Sequence, residues 1–111
     1  MRATIYHNPR CSKSREALAI VEASGAEVTI VEYLKTPPSA EDLARLYKRA
    51  GMTARDGLRL AEPDAKALKD ANEEDILAAM AANPILIERP LVETAKGVRL
   101  GRPPEKVREI L

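Results

Sequence analysis

The first 34 residues change their hydrophobic period twice. The stretch "ATIYHN", residues 3–8, alternates from side to side as a strand does. Along residues 12–24 the apolar positions share one helical face, and Gly25 stands where a left-handed residue would end that helix. The next run, "EVTIVEYL" at 27–34, is β-branched and alternates again. This order predicts a β-α-β unit with parallel strands and a right-handed crossover.

The middle of the chain is helical in pattern. The turn sequence "KTPPS" ends the second strand, and three short amphipathic segments follow it. Each segment begins with a capping-box-like start, in which Ser39, Thr53 or Asn72 precedes an aspartate by three positions. We therefore expect residues 39–82 to form a mostly helical insert.

The last 27 residues return to a strand pattern. "LVET", "AKG" and "VRLG" predict a strand, a turn and a strand, which together make an antiparallel hairpin. "PPEKVREIL" predicts a closing helix with Val107, Ile110 and Leu111 facing the core. The chain as a whole predicts an α/β fold, with a four-stranded mixed sheet built from β-α-β and β-β-α halves around the insert.

Length and charge narrow the class of protein. At 111 residues the chain is long enough for one domain, so we expect a single domain over residues 1–111. Eighteen basic and seventeen acidic residues nearly cancel, which argues against a general nucleic-acid or acidic-membrane surface. The sequence has neither the apolar run of a membrane helix nor a signal-peptide pattern. We expect a cytoplasmic protein with no nucleic acid and no membrane among its partners.

The only histidine and the only cysteine lie together in "HNPRCSKSREAL", residues 7–18. One cysteine cannot form an internal disulfide, and with one histidine it cannot complete a zinc site, so we expect no bound metal. Cys11 is therefore either a small buried hydrophobe, as most lone cysteines are, or a reactive thiol.

The position of Cys11 favours the reactive interpretation. It lies at a strand-to-helix junction, where unpaired backbone N–H groups and the helix dipole stabilise a thiolate. Lys13 and Arg15 add positive charge, as His7 would if it were protonated, and the Ser14 hydroxyl could donate a hydrogen bond to the sulfur. His7 could equally be a capping or core-edge residue.

Two arginines flank the predicted hairpin. "IERP" places Arg89 before the first strand, and "LGRP" places Arg102 after the second. If the hairpin is centred between Ala95 and Lys96, these two positions are directly opposed. Two neighbouring guanidiniums suit a tetrahedral oxyanion. Alternatively, each arginine forms its own salt bridge and no anion is bound, and the spacing leaves this open. The candidate partners are Glu88, Glu93 and Glu105.

Three segments of the chain resemble one known family. "IYHNPRCSKSR" at 5–15, "ILIERPLV" at 85–92 and "GVRLGRPPE" at 97–105 resemble the glutaredoxin-coupled arsenate reductases, called ArsC, of the thioredoxin-like fold class. The resemblance runs nearly end to end and includes "YLKTPPS" and a helical insert. A chain of 111 residues fits the shorter branch of that family.

The resemblance implies roles for individual residues. In that family a cysteine attacks arsenate and three arginines hold the oxyanion. The matching positions are Cys11 as nucleophile, Arg59, Arg89 and Arg102 as the oxyanion clamp, His7, Ser14 and Arg15 as support for the thiolate, and Pro90 as the cis-proline. By spacing alone nothing distinguishes Arg59 from other helix arginines, and the match around it, "RDGLRLAEPD", is loose.

The cysteine count constrains how such an enzyme would be regenerated. Without a second cysteine the adduct cannot be resolved internally, so glutathione as co-substrate and then a glutaredoxin must supply the electrons, with no bound cofactor. Position 17 is Ala rather than the Arg of phosphatase-like reductases, and Ser14 replaces the second Cys of a dithiol enzyme. Two alternatives stay open: another glutathione-dependent monothiol oxidoreductase, or a non-catalytic regulatory or binding protein of the same fold.

Overall fold

Four strands form one mixed sheet in the computed structural model, which describes residues 1–111. The strands are β1 (Arg2–His7), β2 (Glu27–Glu32), β3 (Leu91–Thr94) and β4 (Gly97–Leu100), in the spatial order β2-β1-β3-β4. β1 pairs with β2 in parallel, whereas β1 with β3 and β3 with β4 are antiparallel. This arrangement confirms the predicted thioredoxin-like α/β fold.

The sheet belongs to a unit made of residues 1–36 and 89–111. Helix α1 (Ser12–Ala23) and a C-terminal 3-10 helix (Pro104–Ile110) belong to the same unit. Alternation along β1 buries every second side chain, as the sequence pattern predicts. Its apolar members form one core with residues of the other elements: Ala3, Ile5, Ala17, Val21, Val92, Val107 and Ile110.

The closing segment differs from its prediction. We expected a helix with Leu111 facing the core, but the segment is a 3-10 helix and Leu111 is only half-buried, while Val107 and Ile110 are buried. The prolines at 103 and 104 stand at the start of this helix, where backbone N–H groups have no intrahelical acceptor, so they are compatible with it. At the other end of the segment, the Ile110 carbonyl accepts a hydrogen bond from Thr94 Oγ1 over 2.7 Å.

A second unit comprises residues 37–88, a wider range than the predicted insert of 39–82. It holds α2 (Ala40–Ala50), α3 (Pro63–Ala67) and α4 (Glu73–Ala82), with 3-10 turns at Arg55–Gly57 and Pro84–Leu86. The side chains of Ser39 and Asn72 cap α2 and α4 by accepting from backbone N–H groups over 3.1 Å and 2.8 Å.

Two features of this second unit depart from the prediction. Thr53 and Asp56 do bond reciprocally, yet they introduce only the short 3-10 turn. Helix α3 was not predicted, because its five residues are too few to show a hydrophobic period. No helix in the chain has the length and apolar content needed to cross a membrane.

Candidate active site

Cys11 is the residue from which α1 begins. A tight loop after β1 brings it there, and the Cys11 N–H donates to the Asn8 carbonyl over 3.0 Å. The same loop is braced by the Asn8 side chain, whose Oδ1 accepts from the Arg10 N–H at 3.0 Å. Cys11 has extended backbone angles, and the residue is 8% exposed. The sulfur therefore lies at the positive end of the α1 dipole in a mostly buried setting.

The surroundings of Cys11 favour its thiolate. Burial raises the pKa of the Cys11 thiol, but the Ser14 backbone N–H, the charge and hydrogen bond of Arg89, and the Lys13 backbone N–H lower that pKa by more. The net result is a thiol pKa below its ordinary value. A lower pKa raises the thiolate fraction at neutral pH, and the thiolate is the nucleophilic form.

The Ser14 hydroxyl does not contact the sulfur. It lies 2.7 Å from His7 Nδ1 and accepts a hydrogen bond from the Asn8 N–H over 3.0 Å. All three groups are buried. This corrects the expectation that the hydroxyl donates to Cys11: Ser14 acts on the sulfur through its backbone N–H, and its side chain ties the end of β1 to the first turn of α1.

The surroundings of His7 disfavour its charged form. Burial lowers its pKa, Arg15 lowers it further, and the nearby carboxylates of Glu32 and Glu22 only partly offset these effects. The pKa lies below the ordinary 6.5, so His7 is neutral at pH 7. The lowered pKa disfavours the protonated form in which His7 would add positive charge beside Cys11.

The nearby cations also act differently from the expectation. Lys13 contributes its backbone N–H to the sulfur rather than its ammonium group. Arg15 Nη1 donates to the Pro9 carbonyl over 2.9 Å, so that this side chain braces the loop. The cation that lowers the pKa of Cys11 is Arg89, which spacing along the chain did not single out for that role.

The hairpin brings Arg89 and Arg102 together. The β3–β4 register pairs Thr94 with Gly97, so the turn falls at residues 95–96 and positions 89 and 102 oppose each other. Arg102 Nη1 donates to the Arg89 carbonyl over 3.3 Å, so the guanidinium of Arg102 contacts the backbone of Arg89. Arg89 is half-buried and Arg102 is exposed.

The backbone around these arginines is closely fixed. The Gly101 N–H donates to the Pro90 carbonyl over 2.8 Å. The peptide bonds Arg89–Pro90 and Arg102–Pro103 are both cis. The resemblance to ArsC implies a cis bond only at Pro90, and nothing local in the sequence distinguishes Pro103.

Arg59 belongs to the unit of residues 37–88. Its N–H donates to the Leu86 carbonyl over 2.9 Å, beside the bridge between Leu58 and Ile87. Its Nη1 is 3.8 Å from Glu62 Oε1, while its Nε is buried without a hydrogen-bond partner. The side chain therefore retains an unused donor.

The junction between β1 and α1 also borders a cleft of about 380 Å³. No local sequence signal predicts this cleft, because its walls come from two strand ends that only the parallel pairing of β1 with β2 brings together. The chain places no three His, Cys, Asp or Glu side chains where they could hold a metal ion. The cleft is lined by His7, Asn8, Pro9, Arg10, Glu32, Leu34 and Lys35.

Comparison with known proteins identifies the family. The model of the ArsC family matches residues 6–110. The arsenate reductase of Rhizobium meliloti (strain 1021) is 46% identical over 115 residues, which cover 100% of this chain and 82% of that protein. The Escherichia coli (strain K12) protein YfgD, described as uncharacterized, is 47% identical over 96% of this chain and 94% of its own length. The structure of an arsenate reductase from Vibrio cholerae is 46% identical, with a TM-score of 0.93 over 100% of this chain and 98% of that one.

Proposed function

The chain belongs to the ArsC family, and from that premise we propose that it is an arsenate reductase whose nucleophile is Cys11. The observation that carries the proposal is the placement of this thiol at the start of α1, where backbone N–H groups and Arg89 lower its pKa. A thiolate held in that way attacks electrophilic centres at neutral pH.

In the proposed first step the Cys11 thiolate attacks the arsenic of arsenate. A sulfur–arsenic bond forms and one arsenate oxygen leaves as water after protonation. Arg89 and Arg102 hold the remaining oxygens, because a guanidinium matches a tetrahedral oxyanion and stays charged. The resemblance to ArsC assigns Arg59 to the same task, and its unused Nε donor supports that assignment.

The second half of the reaction needs electrons from outside the chain. Cys11 is the only cysteine, so no internal thiol can displace the arsenic. We propose that glutathione and then a glutaredoxin supply two electrons. Over the whole reaction two thiols become one disulfide, arsenate becomes arsenite, and the single net water is the one that leaves in the first step. Because these thiols must be kept reduced, we also propose a cytoplasmic location.

The test is an assay coupled to NADPH. Purified protein is mixed with arsenate, glutathione, a glutaredoxin, glutathione reductase and NADPH. We expect NADPH oxidation that requires arsenate and stops when either glutathione or glutaredoxin is omitted. Absence of arsenate-dependent oxidation, with partner enzymes shown to be active on a control disulfide, would overturn the proposal.

One observation favours a second candidate function. Cys11 followed by Ser14 leaves a single activated thiol, which suits a glutathione-dependent monothiol oxidoreductase as well. Turnover of a glutathione mixed disulfide in the absence of any arsenate effect would select this candidate.

A further inference from the structure

The cleft beside the β1–α1 junction is walled by the residues that lead to the nucleophile. Asn8, Pro9 and Arg10 form one wall, and Cys11 is the next residue of the chain. The ends of β1 and β2 form another wall of the cleft, because the parallel pairing places His7 opposite Glu32. Its volume of about 380 Å³ lies in the range of small-molecule sites, roughly 300–1,000 Å³.

The charges of this cleft have a definite pattern. Arg10 and Lys35 supply two cations and Glu32 supplies one anion. Lys35 Nζ lies 3.7 Å from Glu32 Oε1, and both side chains are accessible to solvent. His7 is neutral because burial lowers its pKa. Leu34, which is 42% exposed, adds an apolar wall.

Glutathione carries the complementary charges. At neutral pH this tripeptide has two carboxylates and one ammonium group, separated by an apolar cysteinyl centre that bears the thiol. Two cations and one anion in the cleft match two anions and one cation in the ligand. We propose that the cleft is the glutathione-binding site and that Arg10 and Lys35 hold the two carboxylates, while Glu32 holds the ammonium group. This inference rests on the proposed use of glutathione as co-substrate and names where it binds.

The site can be tested without arsenate. Glutathione disulfide is attacked at one sulfur by the Cys11 thiolate, which forms a Cys11–glutathione disulfide and releases glutathione thiolate. Because Cys11 is the only thiol of the chain, mass spectrometry follows this reaction at a single position. Bis(2-hydroxyethyl) disulfide is the uncharged comparison probe, and its rate reports the reactivity of Cys11 alone.

We expect Arg10→Ala/Lys35→Ala to slow the reaction with glutathione disulfide about tenfold and to change the rate with the uncharged disulfide less than about twofold. The ratio of the wild-type rate to the variant rate with glutathione disulfide should decrease as salt is added, because exposed charges are screened. Lys106→Ala/Arg108→Ala, which also removes one exposed lysine and one exposed arginine but at positions that do not line the cleft, is the matched control and should behave as the wild type.

Equal slowing with both disulfides, or no slowing with either, would overturn the glutathione site. The result is separable from the arsenate assay. If arsenate reduction fails but the charge-dependent preference for glutathione disulfide is present, the proposed substrate is wrong and the site holds. If arsenate reduction occurs and the double variant keeps the wild-type KM for glutathione, the reductase proposal holds and the site is wrong.

Discussion

Arg89 and the first turn of α1 act on the same sulfur. The Ser14 and Lys13 N–H groups and the Arg89 guanidinium lower the pKa of Cys11 against the opposing effect of burial. Because the folded pKa is the lower one, the thiolate stabilises the fold fully above the ordinary thiol value, and this stabilisation is lost as pH falls through the folded pKa. The reactivity of Cys11 and this part of the folding stability therefore both follow the titration of the Cys11 thiol.

Alkylation of Cys11 against pH measures this titration. The rate with iodoacetamide should reach half its plateau below about 8.5, the ordinary thiol value. Arg89→Gln should move the midpoint upward, since it removes both the charge and the hydrogen bond of the guanidinium. Arg108→Gln, in the C-terminal 3-10 helix, is the control. A wild-type midpoint at 8.5 or above would contradict the helix-start account.

His7 provides a second titration at the residue scale. The midpoint of its pH titration, followed by NMR of the imidazole ring, should lie below 6.5, because burial disfavours the imidazolium. The free energy of unfolding should then decrease as pH falls below 6.5 toward that midpoint, since the unfolded chain binds the proton more readily. The only histidine gives an unambiguous signal. A midpoint above 6.5 would restore His7 as a cation beside Cys11.

The Ser14 hydroxyl should matter more to stability than to the sulfur. Ser14→Ala removes the partner of His7 Nδ1 and of the Asn8 N–H, both buried, and should lower the free energy of unfolding by about 1–3 kcal/mol in urea titrations. The alkylation midpoint should stay within error of the wild type, because alanine keeps the backbone N–H. A large upward shift would mean that the hydroxyl does act on Cys11.

At the scale of elements, Gly101 holds the end of the hairpin against α1. A Cβ built there would lie 2.9 Å from Pro90 Cγ and 3.3 Å from both Ala17 Cβ and Val107 Cγ1. Gly101→Ala should therefore cost about 1–3 kcal/mol of unfolding free energy. The substitution should also raise the pH midpoint of Cys11 alkylation, because a displaced Pro90 would move the adjacent Arg89 away from the sulfur.

Gly25→Ala is the matched control for this element. Its Cβ would meet nothing within 4 Å, and its cost comes from a φ of +82°. That variant should lose about 1 kcal/mol of stability while the alkylation midpoint stays unchanged. If both variants leave the midpoint unchanged, the hairpin end does not position Arg89.

The elements divide into those that local sequence signals reveal and those that tertiary contacts decide. The Ser39 and Asn72 caps, the alternation of β1 and the hairpin turn are encoded within a few residues, and each was predicted. The alternation predicted for β2 is not seen in its burial, because successive side chains of that strand are exposed. The partners of His7 and Cys11 were not, because Ser14 and Arg89 approach them only after the strand, helix and hairpin have packed. The resemblance to ArsC, rather than spacing, selected Arg59.

At the scale of the whole molecule, the proposed reduction has a single thiol in the chain to work with, so the proposal assigns the remaining electrons to an external partner. Under this proposed mechanism, turnover depends on added thiols at every cycle. We expect the omission of either glutathione or glutaredoxin to abolish steady-state turnover rather than to slow it, because the chain has no second cysteine that could replace the missing thiol.

Arsenite formation under turnover, measured directly as product, tests the central claim. With arsenate, glutathione and glutaredoxin, the wild type should form many equivalents of arsenite per Cys11. Cys11→Ser should fall to the background of the thiols alone, and Arg89→Gln should lose about 10²-fold in kcat. Arsenite formation by Cys11→Ser at the wild-type rate, or none by the wild type beside active partner enzymes, would contradict the account.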